Sequence, residues 1–280
     1  MWERFYIMSK ANLFGLVFAI GLVNAMIRPI REHMYDTGVI NALLDGGGIS
    51  FIVWFAIYCS FDLLLRSHPQ VSQRKDWVAA FSAMFLFMIP SAFVSWIVLA
   101  VFAGYCSFVS LKPKTFARNA ALVMLAVSLR VPVSDVCLKL TADVFLKFDA
   151  MATQLFAGLI NPLIGREGNI IIGPEGHELF IMTGCASFTN ISLALLLWFT
   201  VLRTQVLVWK RHFTLYIGPL IAVVISINIW RLSMMAFSKE YYLFYHDGLG
   251  ADIVNASILL SALSIAFASI YFENHRLKEV

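Results

Sequence analysis

Long apolar runs separated by short charged breaks dominate this chain. A helix that crosses a bilayer needs roughly 20 mostly apolar residues. Runs of that order lie near residues 8–27, 49–65, 77–93, 94–110, 118–137, 181–202, 213–236 and 251–272. The third and fourth come from a single uncharged run between Asp76 and Lys112, which is too long for one span, and Pro90-Ser91 supplies the turn between them. The fifth is the weakest, because Arg130, Pro132 and Asp135 interrupt it. The pattern predicts an all-α polytopic membrane protein of about eight transmembrane helices, forming one integral membrane domain over residues 1–280.

Three connecting segments are more than tight turns. Residues 28–48 mix charges with apolar positions and end in Asp45-Gly-Gly-Gly48, which predicts a short interfacial helix and a flexible entry into the second span. Residues 138–161 carry Lys139, Asp143, Lys147 and Asp149 among Leu, Val and Phe, the pattern of a helix lying on or dipping into the membrane surface. Then β-prone stretches at 169–172 and 177–182 flank Pro174 and Gly176, which fit positions i+1 and i+3 of a type I turn. This predicts a short β-hairpin just before the sixth span. There are no internal repeats and no low-complexity tract.

Composition sharpens the class. With 60% hydrophobic and 14% charged residues among 280, and a mean hydropathy of +0.79, the chain is too apolar for a soluble domain of this size. No charged leader and cleavage site precede the first run, so it is read as a retained span. The net charge of +4 does not point to nucleic acid, because the cations gather in loops, where topology explains them. Loops rich in Lys and Arg stay cytoplasmic, and eight spans with both termini inside put thirteen of the 21 cations on that side. The hairpin and the start of the sixth span then face outward, in a cytoplasmic (inner) membrane.

This topology gathers three reactive side chains at one shallow depth. Cys185 falls about one turn into the sixth span; Arg231 falls about one and a half turns before the seventh span exits; His246 lies in the outer loop before the eighth. A cysteine thiol, with an ordinary pKa of about 8.5, becomes a better nucleophile near a helix N-terminus or a cation. A guanidinium stays protonated, so Arg231 suits holding a thiolate or stabilising an oxyanion. His246 can take and return a proton, and Asn228 and Asp247 are candidate orienters. Each residue also has a plainer reading. Cys185 can be a small packing residue or pair with Cys137 in a disulfide, Arg231 can snorkel to headgroups, and His246 can simply be solvated. Four scattered cysteines without a Cys-x-x-Cys pair, and histidines without ligand spacing, give no reason to expect a metal or other cofactor.

The order Cys185, then Asn228-Ile-Trp-Arg231, then His246 resembles the exosortase and archaeosortase family of multi-pass membrane cysteine transpeptidases. The lead-in Gly168-Asn-Ile-Ile-Ile172 is similar too, and the likeness spans about residues 165–265. The chain departs from the family where Cys185-Ala-Ser187 replaces the usual Cys-Ser-Gly and Thr183-Gly184 replaces Glu-Ala. The resemblance implies Cys185, Arg231 and His246 as catalytic residues of a peptidase or transpeptidase. Its partners would be exported proteins bearing a C-terminal signal of a short motif such as Pro-Glu-Pro, one transmembrane helix and a basic tail. A different class stays open: a non-catalytic transporter, or a subunit of an export or polysaccharide assembly system, with Arg130 and Asp135 as an intramembrane ion pair lining a path.

Overall fold

Serine caps and proline breaks divide the apolar runs into helices. The computed structural model describes residues 8–205, 210–246 and 248–276. Ser9, Ser50 and Ser91 each accept a bond from a first-turn amide and so start helices α1 (Lys10–Thr37), α3 (Phe51–Leu65) and α5 (Ala92–Tyr105). Between α1 and α3 lies the short α2 (Val39–Leu44), and α4 (Arg74–Leu86) precedes the Pro90-Ser91 break. A five-residue π-turn, Cys106–Ser110, prolongs α5. The chain continues with α6 (Phe116–Gly158), a sheet of β1 (Gly165–Glu167), β2 (Ile170–Ile172) and β3 (Glu178–Phe180), and helices α7 (Ser187–Gln205), α8 (Ile217–Phe237), α9 (Lys239–His246) and α10 (Leu249–Arg276).

Among the described residues, six helical stretches are long and apolar enough to cross a membrane: Lys10–Thr37, Ala92–Ser110, Phe116–Gly158, Ser187–Gln205, Arg211–Phe237 and Leu249–Phe272. The protein is thus an all-helical membrane protein with one small sheet. Each of the eight apolar runs holds a helix, but α3 has 15 residues and α4 only 13, and neither is among the six stretches long enough to cross. Apolar side chains cover both faces of the long helices. On α1, Leu13, Phe14, Val17 and Phe18 are buried, while Leu16, Ile20, Val23 and Ile27 are exposed, as expected of a helix with protein on one side and lipid on the other.

Two sequence expectations are corrected. The segment 138–161 is not a separate surface helix; the fifth span runs through it as the single 43-residue α6. Pro132 removes one backbone donor, but a long apolar helix tolerates that loss within a membrane. Likewise α1 continues through Pro29 to Thr37, leaving only α2 as a short helix in the 28–48 segment.

The chain packs as two compact units, Met1–Val133 with Phe199–Trp209, and Ser134–Trp198 with Lys210–Val280. In the first, α1 lies against α5, with Phe14 and Phe18 each edge-on to Phe102 at 5.6 Å between ring centres. A Cβ at Gly21 would come within 2.5 Å of Leu99 and Phe87, so glycine is what lets the two helices approach there. At the N-terminal end of α1, Lys10 makes a buried ion pair with Asp76 (3.4 Å), and Asp76 also accepts from Ser110 Oγ (2.6 Å), Tyr105 (2.8 Å) and the Gln73 amide (2.8 Å). The second unit holds the sheet, α8, α9 and α10 together with the candidate site.

Candidate active site

The site is built from the hairpin downward. β2 and β3 pair antiparallel with Ile171 opposite Leu179, and β1 adds a third strand, unexpected from sequence, with Arg166 opposite Ile171. The turn falls where Pro174 and Gly176 predict it, with Gly176 at φ +78°. Alternation buries Ile171, Leu179 and Ile181 against Leu232, Met235 and Ala236 of α8 and Ala150 and Ala157 of α6. His177 Nε2 lies 3.1 Å from the Met235 carbonyl, and Gly173 is so close to α8 that a Cβ would sit 2.0 Å from the Ala236 oxygen. Asn169 closes the open end, exchanging bonds with Ile181 through its carbonyl and its side-chain amide, both 3.0 Å. The hairpin therefore delivers the chain at Ile181 in a fixed direction.

Four residues later comes Cys185. It does not lie one turn inside the sixth span: it ends a 3-10 turn, Thr183–Cys185, two residues before α7 begins. The difference arises because residues 181–186 are apolar enough to extend the hydrophobic run while their backbone is spent on β3 and the tight turn. Cys185 is 9% exposed and belongs to the apolar cluster under the sheet, beside which Tyr242 and Tyr245 pack. Its thiol is free, as is that of Cys137, so no disulfide joins them.

Asn228, fully buried on α8, anchors this turn. Its side-chain amide donates to the Cys185 carbonyl and to Ser187 Oγ, both at 3.0 Å, while its own Oδ1 accepts from Asn190 at 3.1 Å. The Asn190 bond fixes which end of the Asn228 amide faces Cys185. On the other side, Asp149 of α6, 1% exposed, accepts the Ser187 backbone N–H at 2.8 Å. The first amide of α7, expected to act on Cys185, is therefore already engaged by a carboxylate.

Arg231 follows Asn228 by three residues, on the adjoining part of the same helix face. Its Nε donates to the Tyr245 carbonyl at 2.9 Å, and its Nη groups make no hydrogen bond among the described residues. His246 is next in the chain. It lies not in a loop but at the end of the short helix α9, where its ring stacks on Tyr242 at 4.9 Å and 20°. Tyr242 in turn meets His177 edge-on at 6.3 Å. Asp247 lies outside the described residues.

One turn of α8 thus holds both halves of the site: Asn228 grips the main chain of Cys185, and Arg231 grips the peptide next to His246. Among the described residues, no hydrogen bond or ion pair joins the Cys185 sulfur itself to Arg231 or His246. Asp149, Asn190 and Tyr242 are the members that sequence reasoning missed. Asp149 had a usable signal: it stands i, i+4 and i+8 with Thr153 and Ala157, a buried stripe, and two residues from Lys147, hence on the opposite face. Asp135, a member of the suspected ion pair, is exposed and makes no ion pair among the described residues. No protein-family model, curated protein or solved structure matches the chain.

Proposed function

We propose that the protein is a membrane-embedded cysteine peptidase or transpeptidase that removes a C-terminal sorting signal from exported proteins. It would cross the cytoplasmic membrane eight times with both termini inside, α3 and α4 serving as short spans. His246 takes the proton of the Cys185 thiol as the sulfur attacks the scissile carbonyl. Arg231 donates from its Nη groups to the developing oxyanion. His246 protonates the leaving amine, so the C–N bond breaks and a thioester remains on Cys185. His246 then takes a proton from water or an acceptor amine, whose attack releases the product and restores the thiol. Asn228 acts as orienter through the Cys185 carbonyl, and Asp247 is retained as a candidate orienter of His246.

The observation that carries this reading is that a single helical turn, Asn228 to Arg231, is bonded both to Cys185 and to the residue preceding His246. The free thiol at the mouth of a candidate membrane helix fits a scissile bond just outside a substrate's own transmembrane segment. The transporter reading pairs Arg130 with Asp135 along a path, whereas Asp135 is exposed and makes no ion pair among the described residues. The test is co-expression of the Cys185→Ala protein with a tagged exported reporter ending in Pro-Glu-Pro, one transmembrane helix and a basic tail. The reading expects uncleaved reporter to accumulate; cleavage at the unsubstituted rate would reject it.

A further inference from the structure

A buried carboxylate bonded to Ser187, two residues beyond Cys185, is used by no step above. Asp149 is 1% exposed, belongs to α6, makes no ion pair among the described residues, and is hydrogen-bonded to Ser187 through the latter's backbone N–H at 2.8 Å and also through its side-chain hydroxyl. On the opposite side of the same peptide segment, Asn228 holds the Cys185 carbonyl and the Ser187 hydroxyl. The segment 185–187 is thus gripped by one side chain from α6 and one from α8. Between the two grips, Ala186 is fully buried.

We infer that Asp149 is a positioning residue for Cys185, fixing the start of α7 so that the thiol keeps one place relative to α8. The inference rests on reading Cys185 as a nucleophile. A carboxylate is suited to this task because its bond to a backbone amide is stronger than a neutral acceptor's and has no competing donor role. Asn228 alone cannot supply it, since both its bonds come from one amide nitrogen and leave the segment able to pivot about that point. Asp149 stops the pivot from the far side.

Two independent pairs of substitutions test this. Asp149→Ala removes the acceptor, whereas Asp149→Asn keeps an oxygen that can take the Ser187 N–H. Ser187→Pro removes the N–H itself, and the local backbone permits it: Ser187 is the first residue of α7 and Ala186 is already extended at φ −66°, ψ 141°. Ser187→Ala is its reference, because it loses the hydroxyl but retains the N–H. With the Pro-Glu-Pro reporter, Asp149→Ala lowers the cleavage rate roughly tenfold to a hundredfold, as misplacement of a reacting group does. Asp149→Asn recovers most of that loss. Ser187→Pro falls below Ser187→Ala by a similar factor, and adding Asp149→Ala to Ser187→Pro costs nothing more.

A second readout needs no substrate. The rate at which iodoacetamide alkylates Cys185 in the purified full chain, followed by peptide mass spectrometry, changes several-fold in Asp149→Ala and returns to the unsubstituted value in Asp149→Asn. If the unsubstituted protein never cleaves the reporter, the peptidase reading falls while the alkylation rates still judge the positioning role. Equal alkylation in all forms, or an Asp149→Asn protein no better than Asp149→Ala, overturns the inference. Should Asp149→Ala fail to fold, the comparison of Ser187→Pro with Ser187→Ala decides alone.

Discussion

The guanidinium of Arg231 and the main-chain carbonyl of Tyr245 are joined at 2.9 Å, which ties helix α9 to α8 one residue before His246. Arg231 therefore has a structural task as well as the chemical one proposed for it. A hydrogen bond from a charged group contributes about 1.5–3 kcal/mol. Arg231→Ala is expected to raise amide hydrogen exchange over residues 239–246 and to abolish reporter cleavage. Arg231→Lys keeps the charge but loses the fork of donors, so it should restore neither fully. Unchanged exchange in Arg231→Ala would show that α9 is held by its aromatic packing alone.

Gly173 tests how the hairpin is seated. A methyl group there would stand 2.0 Å from the Ala236 oxygen, a backbone atom that no side-chain rotation can remove. Gly173→Ala should cost about 1–3 kcal/mol by overpacking and loosen Cys185, which the hairpin delivers. Thermal unfolding in detergent and Cys185 alkylation should shift together. Unfolding like that of the unsubstituted protein would mean that the sheet moves off α8 at little cost.

Far along the chain, the Lys10–Asp76 pair is the buried charge that fastens α1 to α4. Burial alone would push the Asp76 carboxyl up, but bonds from Ser110, the Gln73 amide and Tyr105, with the charge of Lys10, together hold it below the usual carboxylate range. A carboxyl lowered in the folded state stabilises the fold above its unfolded pKa of about 3.9 and loses that contribution as pH falls through the folded value. Stability should therefore be flat near neutral pH and drop in acid, and Asp76→Asn should flatten the acid limb. Lys10→Met strands the carboxylate and should cost about 3–5 kcal/mol. An identical acid limb in Asp76→Asn would refute this account.

The helices were legible because membrane spans announce themselves through composition, and the Pro90-Ser91 break and the Pro174–Gly176 turn through their backbone demands. What was not legible follows from local rules that lose to context. Pro132 and the charges around it suggested an end to the fifth span, yet α6 runs on, because no stronger stop signal follows until Gly158. Hydropathy places Cys185 in a helix because it does not distinguish an apolar turn from an apolar helix. Proximity in sequence groups Asp149 with Lys139, Asp143 and Lys147, whereas its helical phase sets it on the buried face beside α7. Its partner is a backbone N–H 38 residues away, and no local pattern encodes that.

Topology can be checked with thiols already present. Cys59, Cys106 and Cys185 are all buried, Cys185 the least so at 9% exposed, and Cys137 is half-buried within α6. With Cys185 at the proposed outer face, a membrane-impermeant maleimide added to intact cells should modify it, slowly because it is buried, and ahead of Cys59 and Cys106. Modification of Cys185 only from the cytoplasmic side would invert the proposed orientation.

Acyl transfer leaves a covalent trace, and looking for it is the most direct measurement. Intact-mass analysis of the purified protein, quenched in acid soon after mixing with the Pro-Glu-Pro reporter, should reveal a hydroxylamine-sensitive adduct on Cys185 with the mass of the reporter's N-terminal fragment less one water. The adduct should be absent from Cys185→Ala. Reporter cleavage without any adduct, continuing undiminished in Cys185→Ala, would contradict a thioester mechanism at this cysteine.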